Sequence, residues 1–106
     1  MLRDIHHIGV AVRDLGRAAD LYGGALGAEL EGREVVAEQG VEVILCRVGG
    51  SRIELIAPLN PECAMAKFLE KRGEGVHHIA YHVESVREAI KKLSEAGLKL
   101  VDEAPR

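Results

Sequence analysis

Four of the five histidines in this chain stand as two adjacent pairs, His6-His7 and His77-His78. Imidazole is the commonest protein ligand for transition-metal ions because it is a neutral donor near pH 7, and a carboxylate beside it balances the charge of a divalent ion. The carboxylate that stands out is Glu54, in Ile53-Glu54-Leu55-Ile56, where an unpartnered charge within an apolar strand is costly to bury. The two histidine pairs open matching stretches: Ile5-His6-His7-Ile8 recurs as Val76-His77-His78-Ile79, 71 positions later. Val12, Leu15 and Ala18 align with Val83, Val86 and Ala89 at the same offset, and after a one-residue slip Gly27 and Leu30 align with Gly97 and Leu100. A duplication that repeats a histidine pair at equivalent points suggests two ligands converging on one site between similar halves.

Strands must position these residues. Alternation over 5–12 puts His6, Ile8, Val10 and Val12 on one face, to be packed against a helix, and Ile5, His7, Gly9 and Ala11 on the other. Gly9 and Ala11 are small, which leaves room above the sheet for something other than a side chain. Over 76–83 the same parity packs Ile79, Tyr81 and Val83 and opens the face of His78, Ala80 and His82. Period-two geometry therefore separates His7 and His78 from their neighbours, and makes them, with Glu54, the candidate metal ligands. His6 and His77 are read as packed or hydrogen-bonded structural residues, and His82 as lining the pocket.

Each strand leads into a helix. Asp14 is the expected N-cap of a helix to about Ala25, with Leu15, Ala18, Ala19 and Tyr22 or Leu26 inward and Gly27 as its stop. Ser85 is the expected N-cap of a second helix that Gly97 closes. Strands are expected near 29–37, 41–48 and 51–57, with Gly49-Gly50 as a hairpin turn between the last two. Asn60-Pro61 begins a short linker helix with Pro61 in its first position, Ala64, Met65 and Phe68 packed, and Gly73-Glu74-Gly75 ending it. A last strand is expected at 98–103. One unit is thus strand, helix and three strands, and the second reads as an incomplete copy: the counterpart of Glu54 would fall near position 125, beyond Arg106.

Composition narrows the function classes. A length of 106 residues with 47% hydrophobic and 29% charged residues fits one soluble domain. A net charge of −3 gives no electrostatic reason to expect nucleic acid or an anionic membrane as partner. No 18-residue apolar run or signal pattern is present, which predicts a cytoplasmic protein. Cys46 and Cys63 lack CxxC spacing and read as free thiols.

Ile5 to Val12 (IHHIGVAV), Glu54 to Leu59 (ELIAPL), Phe68 to Ala80 (FLEKRGEGVHHIA) and Asp102 to Arg106 (DEAPR) resemble methylmalonyl-CoA epimerases, a family of the vicinal oxygen chelate (glyoxalase) superfamily. The resemblance covers essentially the whole chain, and the FLEKRGEGVHHIA run is its sharpest part. It implies an α+β fold of paired βαβββ modules in a curved, cupped sheet with helices outside, here with the second module incomplete. The implied organisation is a single domain over 1–106, with the first module at about 1–58, the linker helix at about 59–74 and a partial second module at about 75–106.

The resemblance also implies a function: metal-dependent epimerisation of methylmalonyl-CoA between its 2R and 2S forms, by removal of the α-proton and stabilisation of the enolate on a divalent ion. The family's ligands fall on His7, Glu54 and His78, and its fourth ligand, a Glu on the final strand, has no counterpart. The family's catalytic carboxylate stands in several members at the place of Val43. Glu42 is the carboxylate beside that place, and alternation sends it to the opposite face unless the register shifts. Lys67, Lys71 and Arg72 are candidate contacts for the phosphates of an acyl-CoA substrate, and His82 for the substrate itself. His and carboxylate ligands suit Co, Mn, Zn or Ni. Two other readings fit: a glyoxalase- or lyase-type member of the superfamily, or a metal- or small-molecule-binding module left inactive by the absent C-terminal Glu. An unpaired strand edge in the incomplete module predicts a homodimer or higher oligomer.

Overall fold

The computed structural model describes residues 2–95, and the strand expected at 98–103 and the Gly97 stop lie outside them. The chain divides into two units, one of residues 5–80 and one formed by the described residues before Ile5 and from Tyr81 onward. Its elements are β1 (Leu2–Ala11), α1 (Leu15–Asp20) continued by a π-helical turn (Leu21–Ala25), β2 (Glu29–Val36), β3 (Val41–Val48), β4 (Ser51–Pro58), α2 (Ala64–Arg72), β5 (Gly75–Val83) and α3 (Val86–Glu95). The strands form one five-stranded sheet in the order β2-β3-β4-β1-β5. β1 runs parallel to β4, whereas β3 is antiparallel to both β2 and β4.

Within the first unit, alternation along the strands makes two cores on opposite faces of the sheet. Ile44, Cys46, Leu55, Ala57 and Val12 pack against Leu15 and Ala19 of α1. Ala11, Val41, Val43 and Ile56 pack against Met65 and Leu69 of α2. The face expected to stay open is therefore covered by α2 at Ala11, which is fully buried. Gly49 takes φ +60°, a conformation that glycine adopts without cost, and joins β3 to β4 as a hairpin.

Two helices depart from expectation for local reasons. The first is α-helical only to Asp20; beyond it Leu26 N–H donates to Leu21 O and Ala28 N–H to Tyr22 O, around the weak helix formers Gly23 and Gly24. Asp14 caps it by accepting from Arg17 N, and Tyr22 rather than Leu26 turns inward. The linker helix starts three residues later than the expected Pro61. Asn60 Oδ1 accepts from the backbone N–H groups of Glu62 and Cys63, closing a turn that holds Pro61 outside α2.

In the second unit, Ser85 Oγ accepts from Glu88 N at 3.2 Å and caps α3. Ile79 of the first unit and Tyr81 of the second, both on β5 and expected on a packed face, are exposed. Among the described residues no helix is long and apolar enough to cross a membrane.

Candidate metal centre

The parallel pairing of β1 with β4 sets Gly9 beside Glu54 and His7 beside Arg52. Partners in register share a face, so His7, Gly9, Arg52 and Glu54 all stand on the α2 side of the sheet. Gly9 lets a third side chain enter: a Cβ built on it would lie 2.5 Å from Nδ1 and 2.6 Å from Nε2 of His78. The room expected above Gly9 is thus filled by an imidazole from β5.

His7 Nε2 and His78 Nε2 are 3.0 Å apart, and Glu54 Oε1 is 3.9 Å from His78 Nε2. One ligand atom from each of the three residues lies within 4.8 Å of the others. All three side chains are half-buried. Partial burial pushes the His7 imidazole below its usual 6.5; Glu54 pulls it back up, and His6 pushes it further down. Burial is also the main cause that lowers His78, helped by His7 and opposed by Glu54. Two imidazoles whose protonation burial disfavours, beside a carboxylate, are a donor set suited to a divalent ion.

Glu42, the other carboxylate singled out from the sequence, is not brought to this cluster. It stands opposite Ala57 in an unshifted β3–β4 register, on the α1 side of the sheet. Arg33 holds it there through Nε at 2.7 Å and Nη2 at 3.2 Å, and these hydrogen bonds lower its carboxyl from the usual range. The place of Val43 is on the α2 side but buried, between Glu34 of β2 and Ile56 of β4 in register. His82 Nδ1 lies 2.5 Å from Asp4 Oδ1 in an exposed pair within the second unit. Lys67, Lys71 and Arg72 are exposed on α2.

Sequence reasoning missed three neighbours. His6 and His77 meet His7 and His78 through Nδ1, at 2.7 and 2.8 Å, rather than packing away from them. Arg52 shares the face of His7 and hydrogen-bonds Glu31 at 2.7 Å. Counting back two residues from Glu54 would have found Arg52, but the Nδ1 contacts depend on ring orientation, which alternation does not carry.

Residues 6–106 match the family described as the glyoxalase/bleomycin resistance protein/dioxygenase superfamily. An ethylmalonyl-CoA/methylmalonyl-CoA epimerase of Cereibacter sphaeroides is 38% identical over 95% of this chain and 76% of its own length. An uncharacterized protein of Bacillus subtilis is 37% identical over 96% of the chain and 73% of its own. A methylmalonyl-CoA epimerase solved with methylmalonyl-CoA and NH4+ superposes with a TM-score of 0.88 at 33% identity, covering 100% of this chain and 78% of that one.

Proposed function

Because the chain belongs to the glyoxalase/bleomycin resistance protein/dioxygenase superfamily, we propose that it binds a divalent ion through His7, Glu54 and His78 and interconverts the 2R and 2S epimers of methylmalonyl-CoA. The observation that carries this reading is the convergence of one ligand atom each from His7, Glu54 and His78 within 4.8 Å of one another, in a chain similar to proteins named methylmalonyl-CoA epimerases. Residues 1–58 and those from 75 onward are read as two modules of one duplicated domain.

The donor set fits the ion. Two neutral nitrogen lone pairs facing each other at 3.0 Å repel unless a cation or a proton lies between them. Glu54 adds negative charge on the same side. When bound, the ion supplies Lewis-acid stabilisation of the negative charge that develops on the thioester oxygen as the α-proton leaves. The chain's own residues keep the site ready: the β1–β4 register puts His7 and Glu54 on one face, Gly9 admits His78, and partial burial disfavours protonation of both imidazoles. Cobalt, manganese, zinc and nickel all suit these ligands.

The substrate is a small acyl-CoA, and the partner proposed for the β5 end of the described sheet is a second copy of the chain; a monomer in light scattering at micromolar concentration contradicts the latter. The activity is tested by chiral separation of methylmalonyl-CoA after incubation of one pure epimer with the cobalt-loaded protein. Formation of the other epimer, abolished by chelation and restored by cobalt, supports the proposal. Interconversion that survives complete metal removal contradicts the metal role, and none by a protein with cobalt bound contradicts the substrate.

A further inference from the structure

The two histidine pairs make one continuous chain of rings. His6 meets His7 through Nδ1 to Nδ1 at 2.7 Å, His7 meets His78 through Nε2 to Nε2 at 3.0 Å, and His78 meets His77 through Nδ1 to Nδ1 at 2.8 Å. Successive rings are edge-on, with centroids 5.0, 5.1 and 5.1 Å apart. The arrangement is symmetric: each half of the sequence repeat gives an inner ring whose Nε2 faces the centre and an outer ring that touches it from behind. Phe68 of α2 packs edge-on against His77 at 4.7 Å and steadies that outer ring.

A neutral imidazole has one N–H and one lone pair. A ring that binds an ion through Nε2 must therefore carry its proton on Nδ1, and that N–H needs an acceptor. At both inner rings the group within hydrogen-bonding distance of Nδ1 is the Nδ1 of the adjacent histidine. We propose that His6 and His77 are positioning residues that accept the Nδ1–H of His7 and His78, fixing the tautomer and plane of each ligand ring. The proposal rests on the metal-site reading and deepens it.

The proton count gives an observable consequence. Without an ion, the central 3.0 Å contact needs one inner ring to donate its Nε2–H to the other, so the chain runs in one direction: His6 Nδ1–H to His7 Nδ1, His7 Nε2–H to His78 Nε2, His78 Nδ1–H to His77 Nδ1, or the reverse of it. With an ion, both inner rings carry Nδ1–H and both outer rings accept. Loading therefore switches the tautomers of one inner and one outer ring, with four ring protons before and after.

Asparagine tests the role, because its Oδ1 stands where histidine carries Nδ1 and can accept the same N–H, whereas leucine has similar bulk and no acceptor. His6 and His77 are exposed, so the variants retain the fold, which circular dichroism checks. Cobalt affinity is measured by calorimetry for wild type, His6→Leu, His77→Leu, His6→Asn and His77→Asn. Nitrogen-15 NMR of the wild type reads the ring tautomers before and after diamagnetic zinc is added. The leucine variants are expected to bind cobalt roughly 10- to 100-fold more weakly, the range for lost outer-shell partners, with asparagine restoring most of the affinity. Zinc is expected to leave no Nε2–H on His7 or His78. Leucine variants that bind as wild type does, or asparagine variants as weak as leucine, would each overturn the positioning role while leaving the metal site standing, whereas an Nε2–H persisting on His7 or His78 after zinc is added overturns ligation through that ring and the positioning role with it. A wild-type protein that binds no cobalt overturns both.

Discussion

The His78 imidazole occupies the space that any side chain on Gly9 would need: a Cβ there falls 2.5 Å from its Nδ1 and 2.6 Å from its Nε2. The two residues lie far apart in sequence, and the glycine's role is clearance. The clash is with a side chain that can swing outward, so Gly9→Ala is expected to leave thermal stability close to wild type. His78 is then displaced from His7 and Glu54, and cobalt affinity falls by at least about tenfold, as for a misplaced ligand. Calorimetry and a melting curve on the same sample check this; wild-type affinity would mean that His78 is not a ligand in this position.

Acidification is expected to destabilise the metal-free protein in a defined window. His7, His77 and His78 are all held below the ordinary 6.5, chiefly by partial burial. The folded state therefore binds fewer protons than the unfolded chain between the depressed values and 6.5, and stability rises with pH through that window. Melting temperature should fall as pH is lowered through 6.5 toward the depressed values. Glu31 and Glu42, lowered from 4.5 mainly by hydrogen bonds from Arg52 and Arg33, act in a separate step as pH falls below 4.5. A melting temperature that rises on acidification across the histidine window contradicts this account.

Glu42→Gln is expected to leave α-proton exchange in substrate unchanged, because Glu42 lies on the α1 side of the sheet and Glu54 on the α2 side. A fall in exchange of more than about tenfold, the scale on which a general base acts, would require this register to be wrong. Glu34→Gln is the informative companion, since Glu34 opposes Val43 on the side of the histidines.

Leu55 is fully buried between the strands and α1, among Ile44, Cys46, Leu15 and Ala19. Leu55→Ala should cost about 2–5 kcal/mol, the range for buried leucine truncations, read as a shifted denaturant midpoint. A loss below about 1 kcal/mol would mean that the site collapses around the smaller side chain.

Much of this was legible in the residues, and the rest for identifiable reasons was not. Alternation along residues 5–12 and the repeat at 76–83 pick out His7 and His78, because a strand's two-residue period assigns faces without further information. The same period places Glu42 opposite Val43's face, and the β3–β4 register keeps it there. It could not reveal that Ala11 is covered, since that depends on where α2 docks. The start of α2 is not legible in the sequence because Pro61 suits a first helical position as well as a turn, and Asn60 decides between them through its side-chain oxygen. Parity points His6 and His77 away from the ligands, whereas their rings reach back through Nδ1.

His7 and His78 are proposed to hold an ion that promotes loss of the substrate's α-proton. The most direct measurement incubates cobalt-loaded protein with methylmalonyl-CoA in D2O and follows deuterium entering the α-position by NMR. Deuterium should enter with the wild type and fail to do so with His7→Ala or His78→Ala. Undiminished exchange in both variants, or none in a wild type with cobalt bound, would contradict the account.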